Sequence, residues 1–158
     1  MKRLTSIVLV LIMLLSIGCI AVSAKDEGVV TTSSTTYFDD GSYLVTTITS
    51  ANTNSSARAT KTKSGSKTDD YYSSSDRLLW SVTINGTYTY TGSKATCTKA
   101  TTSTVVYDSD WKVTSATASK SGNKATGNFT VKRYFLGVPT ATKERVVTLT
   151  CSATGVLS

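Results

Sequence analysis

Ten carboxylates, no histidine and three cysteines bound the chemistry open to this chain of 158 residues. Without imidazole, a nucleophile–histidine triad has no general base and a metal loses its commonest nitrogen ligand. A pair of carboxylates would serve glycoside hydrolysis, which needs two of them brought from distant segments into one pocket. The candidates are Asp39, Asp40, Asp69, Asp70, Asp76, Asp108, Asp110 and Glu144. Most stand in doublets, where short acidic side chains bond the local backbone of turns. "YDSDW" (Tyr107 to Trp111) offers Asp108 and Asp110 to calcium, but lacks the further oxygen ligands and the glycine of a calcium loop. No glycine-rich loop runs into a helix to cradle phosphate. No catalytic residue, metal site or cofactor is assigned, and the chain reads as non-enzymatic.

The binding chemistry is more suggestive. Arg58, Lys61, Lys63 and Lys67 form a local basic stretch that ends at Tyr71 and Tyr72. Lysine beside exposed tyrosine suits an anionic envelope polymer or a glycan, because aromatic rings stack on apolar sugar faces. These six residues are the candidate ligand-binding set, with a protein as the other class of partner. The competing reading is a solvated lysine edge that keeps a sheet from aggregating. Nucleic acid is not expected for an exported chain of modest basicity.

Export is read from the N-terminus. Lys2 and Arg3 precede the apolar run "LTSIVLVLIMLLSIG", and "VSA" (Val22 to Ala24) places small residues for cleavage after Ala24. Cys19, in "SIGC", supports an alternative in which the chain is a lipoprotein anchored there. Residues 1–24 are thus the signal peptide, and no later stretch is apolar enough to span a membrane as a helix. Cleavage removes Lys2 and Arg3, lowering the formal charge from +7 to +5. Two cysteines remain, Cys97 and Cys151, and an exported pair is expected to be a disulfide. Closing so long a loop would stabilise the fold by roughly 4 kcal/mol.

Residues 25–158 read as one all-β domain, since threonine and tyrosine favour strands and good helix formers are scarce. Residues 25–76 hold N-terminal strands around an Asp39-Asp40-Gly41 turn, then a stretch almost free of aliphatics, either a loop or a basic edge strand. Residues 77–158 are the stapled core. Within it "SVTINGTYTY" contains Asn-Gly, a strong hairpin signal. A turn there would split the apolar face, whereas a continuous strand keeps Leu78, Trp80, Val82, Ile84, Tyr88 and Tyr90 together, and the continuous strand is preferred. Phe129, Val131, Val147 and Leu149 complete the expected core. "SGSKT" (Ser64 to Thr68), "TGSKAT" (Thr91 to Thr96) and "SGNKAT" (Ser121 to Thr126) read as one hairpin turn used three times. "LGVP" (Leu136 to Pro139) makes another.

Several long strands with short turns give an antiparallel sandwich or small barrel. Cys97, Trp111 and Cys151 are spaced like the marker residues of an immunoglobulin domain. Leu149, however, stands where the tyrosine corner belongs, and few residues follow Cys151. "Immunoglobulin-like" is therefore kept as an architecture only. The blocks "ARATKTKSGSKTDDYY", "LLWSVTINGTYTYTGSKATCT" and "DSDWKVTSATASKSGNKATGNFTVKRYFLGVPTATKERVVTLTCSATG" resemble a group of small secreted proteins of Gram-positive anaerobes, a domain of unknown function, over roughly Ala57 to Gly155. That resemblance implies secretion and supplies no catalytic residue. The expectation is a secreted binding or interaction module for an envelope or host glycan or a protein. The alternative is a secreted effector, inhibitor or membrane-active antagonist.

Overall fold

Runs in which threonine alternates with valine, isoleucine or tyrosine become strands, and each run ends where glycine or aspartate permits a reversal. The computed structural model describes residues 29–51 and 60–158. The signal peptide, its cleavage after Ala24, the Cys19 anchor and Arg58 lie outside the described residues. The strands are β1 (Val29–Tyr37), β2 (Tyr43–Ala51), β3 (Lys61–Tyr72) and β4 (Leu78–Tyr90), followed by β5 (Ala95–Val106), β6 (Trp111–Ser121), β7 (Lys124–Phe135) and β8 (Val138–Thr150). Among the described residues there is no helix, and so none long and apolar enough to cross a membrane.

Each strand pairs antiparallel with its sequence neighbour, giving a five-stranded sheet β1-β2-β3-β4-β5 and a three-stranded sheet β6-β7-β8. β4 lies against β7 and β8, so the two sheets form a sandwich. The connectivity is a meander, not the Greek key of immunoglobulin domains. β1 to β3 share one sheet with β4 and β5, so no structural boundary falls at residues 76 and 77. The reversals at Gly41, Gly92 and Gly122 all use positive φ. The "LGVP" turn is Leu136-Gly137, both residues left-handed (φ 49° and 81°), and Pro139 already belongs to β8.

β4 runs straight through Asn85-Gly86. Asn85 faces Ser66 on β3 and Thr101 on β5, and Gly86 faces Gly65 and Ala100. The glycine makes room rather than a turn: a Cβ there would stand 2.4 Å from the Tyr88 hydroxyl, because the Tyr88 ring folds back over Gly86. Phe129 covers Gly127 in the same way on the facing sheet. The Tyr88 hydroxyl donates across the sandwich to the Leu149 carbonyl at 2.7 Å. Trp80, Val82, Ile84 and Tyr88 meet Ala125, Phe129, Val131, Val147 and Leu149 in one buried cluster, with Tyr90 packed at its margin.

Three expectations are corrected. Leu78 is only half-buried and Leu79 takes its place in the core, because the β3–β4 register slips between Tyr71/Trp80 and Tyr72/Leu78. This bulge adds one residue to β4 and reverses the parity of its first turn of pleat. Ser64 to Thr68 is not a turn but the middle of β3. β3 itself is neither a loop nor an edge, since β2 and β4 flank it. Cys97 and Cys151, expected as a disulfide, stand as buried free thiols in the structure. The Cys97 thiol donates to the Lys99 carbonyl and the Cys151 thiol to that of Ser152.

Candidate functional site

The aromatic side chains gather at the end of the sandwich formed by the β1–β2 and β3–β4 connections. Register puts Tyr37 opposite Tyr43 and Tyr43 opposite Tyr72, so three tyrosines stand in a row across the outer face of the large sheet. The Tyr43 and Tyr72 rings stack with centroids 4.8 Å apart and planes 3° from parallel; Tyr37 lies 5.5 Å from Tyr43, tilted by 43°. Tyr37 is 74% exposed and keeps an open ring face. Desolvation, followed by the neighbouring Asp76 carboxylate, raises the pKa of the Tyr43 hydroxyl, so it stays protonated. Next to the tyrosines the same face carries Val45, Asp70 and Ser81 in register, and beyond them it continues as hydroxyl rows. Thr68 and Thr83 are linked at 2.9 Å and Ser64 and Thr87 at 3.2 Å, with Asn85 reaching the Thr101 carbonyl.

Pleating sends the neighbouring residue the other way. Tyr71 is 4% exposed, stacked on Trp80 at 4.8 Å and edge-on to Trp111 at 5.9 Å. Its hydroxyl donates to Ser42 Oγ at 2.8 Å, and the Ser42 hydroxyl and amide both donate to the Asp40 carboxylate. Those two bonds, with Lys143 adding attraction, hold Asp40 below the usual carboxylate range. Lys143 stands 3.9 Å from Asp40 and over the rings of Phe38 and Tyr71. Asp40, Ser42, Tyr71 and Lys143 border a cleft of about 290 Å³ at the mouth of the sandwich, together with Trp111 and Arg133.

The five described residues of the expected ligand set do not form one surface. Alternation along β3 turns Lys61, Lys63, Lys67 and Tyr71 to one side and Tyr72 to the other. Lys67 borders a polar cleft between the sheets with Ser34, Thr46, Asp69 and Arg145. Lys63 lies near enough to Cys151 to act on it electrostatically, and Lys61 borders a hollow beside Tyr90. Tyr72 alone reaches the outer face, where its partners are Tyr43 and Tyr37. Both of these escaped the sequence reading, although the signal was present: they are placed symmetrically about the Asp-Asp-Gly turn, which makes them face each other across the hairpin.

Four of the other carboxylates are engaged by partners. Asp108 accepts the Asp110 amide at 2.9 Å and pairs with Arg77; Asp110 pairs with Arg133 at 3.5 Å. Asp70 accepts from Ser81, and Asp69 binds Arg145 across the sandwich. Among the described residues no three metal-ligating side chains converge. Burial pushes both thiols up and keeps them protonated. No family model, curated protein or solved structure matches the chain.

Proposed function

We propose that this is an exported, non-enzymatic binding module that holds a neutral glycan on the outer face of its five-stranded sheet. The observation that carries the reading is the Tyr37–Tyr43–Tyr72 row continuing into hydroxyl rows, whose charged members are Asp70 beside Ser81 and Lys99 beside Thr87. A polyhydroxylated chain needs hydrogen-bond partners along its length and a ring face for its apolar side. The open face of Tyr37 serves the second need, and the serine, threonine and asparagine rows serve the first. An anionic polymer is less well served, because Lys61, Lys63 and Lys67 face away from the tyrosines.

Export would also place Cys97 and Cys151 in an oxidising setting, and a bridge between them belongs to the same proposal. Both are buried beside Tyr88, and their amides bond the consecutive carbonyls of Gly122 and Asn123. Alkylation of the exported protein in denaturant without reductant tests this. Complete protection of both thiols is expected, and two alkylated cysteines would refute the bridge.

Pull-down on a panel of insoluble neutral and acidic polysaccharides tests the glycan reading. Retention on a neutral polymer is expected, with Tyr37→Ala and Tyr72→Ala each weakening it about tenfold, in line with ~1–2 kcal/mol for a contact aromatic. Lys67→Ala should leave retention unchanged. Failure to bind any polymer, or binding that survives both tyrosine changes, would overturn the reading.

A further inference from the structure

Among the described residues the two sheets leave four strand edges: β1 and β5 on the large sheet, β6 and β8 on the small one. An open edge is a row of unpaired amides and carbonyls, and proteins blunt it with charge, proline or a bulge. β8 carries Pro139, Lys143, Glu144 and Arg145. β5 carries Lys99 and lies against β6, which carries Lys112 and Lys120. β1, "VVTTSSTTY", has none of these devices. Its nine residues pair one for one with β2, and all nine are exposed. In a chain of 17 basic and 10 acidic residues, this uncharged strand is a place where two positively charged copies can meet without like charges facing each other.

We infer that β1 is a homodimer interface. The β1 strands of two copies pair edge to edge and antiparallel about a two-fold axis at Ser33, joining two five-stranded sheets into one. In a continuous antiparallel sheet facing residues share a side, so the axis passes at a residue rather than between two. Centred on Ser33, this register sets Thr32 opposite Ser34, Thr31 opposite Thr35, Val30 opposite Thr36 and Val29 opposite Tyr37. Hydroxyl pairs in the middle and a β-branched residue against an aromatic at each end are favoured cross-strand combinations. The contact is isologous, so each copy uses its bare edge once and none remains to recruit a third. Both tyrosine rows then lie on one surface, although the dimer stands without the ligand proposed above.

Sedimentation equilibrium of the purified protein tests the interface. A concentration-dependent dimer is expected that persists in high salt, because no ion pair holds it. Ser33→Lys sets two ammonium groups against each other at the axis and should weaken the dimer by at least about a hundredfold. The near-ultraviolet spectrum of the monomer should not change, since Ser33 is exposed. Ser33→Cys should give a covalent dimer on oxidation, whereas Ser103→Cys, exposed on the β5 edge, should not. A protein monomeric up to its solubility limit, a dimer indifferent to Ser33→Lys, or an open-ended assembly would overturn the inference.

Discussion

Arg145 of β8 reaches across the sandwich to Asp69 of β3, placing Nη2 at 2.6 Å and Nε at 3.2 Å from one carboxylate oxygen while Thr46 holds the other at 2.7 Å. The two partners are unequally buried: the side chain of Asp69 is 3% exposed and that of Arg145 32%. Removing the arginine strands a buried carboxylate with one hydroxyl donor, whereas removing the aspartate leaves a guanidinium that can turn to water. Arg145→Met should therefore cost about 3 kcal/mol, and Asp69→Asn less than half of that. Urea unfolding of both variants measures the asymmetry. Equal losses would mean that the pair contributes by packing alone.

Asp40 ties the β1–β2 turn to Ser42 and Lys143. Its folded pKa lies below the ordinary value of 3.8, so its contribution to stability is present above that value. The contribution is lost as pH falls from 3.8 through the lowered folded value. Asp40→Asn should lower the melting temperature at neutral pH and match the parent at a pH below the folded pKa. Melting curves across that range check the sign. A difference that grows on acidification would contradict the assignment.

The β7–β8 turn contains a flaw that is simple to repair. Leu136 is 89% exposed and sits at φ 49°, a left-handed conformation that its Cβ resists and no packing rewards. Asparagine tolerates that region and precedes glycine in the favoured two-residue hairpin. Leu136→Asn should stabilise the protein by about 1 kcal/mol, raising the melting temperature by roughly 4 °C. It should leave polysaccharide retention unaltered, because the turn belongs to the small sheet and the tyrosine row to the outer face of the large one.

Strand identity and most turns were legible in the sequence, because period-two alternation and glycine or aspartate at reversals are local signals. β3 was not, for a physical reason. As an interior strand it contributes only Asp69 and Tyr71 to the buried set, and its other inward positions are Lys61, Lys63, Gly65 and Lys67, at the margin of a sheet that the smaller sheet leaves partly uncovered. A strand with so few apolar residues carries no hydrophobic pattern, and its place is fixed by pairing on both sides. The tyrosine row was half legible. Tyr72 stands out in the sequence, but its partners depend on cross-strand register, and its neighbour Tyr71 points to the opposite face because side chains alternate along a strand. The bulge at Leu79 is likewise invisible to parity counting.

Gly86 and Tyr88 give the last test, because their coupling explains why an asparagine-glycine pair lies inside a strand. The Tyr88 ring occupies the space above Gly86, and its hydroxyl is anchored on Leu149, so the ring cannot swing away without abandoning a buried carbonyl. Gly86→Ala should destabilise by about 2–3 kcal/mol through overpacking. Tyr88→Phe should cost about 1–2 kcal/mol for the bond across the sandwich. In a Tyr88→Val background the overlying ring is gone, and Gly86→Ala should then be nearly neutral. A double-mutant cycle by chemical denaturation measures this. Additive losses would mean that the glycine serves the backbone and not the ring, and the reading of this strand as a continuous seam with a glycine seat would have to be abandoned.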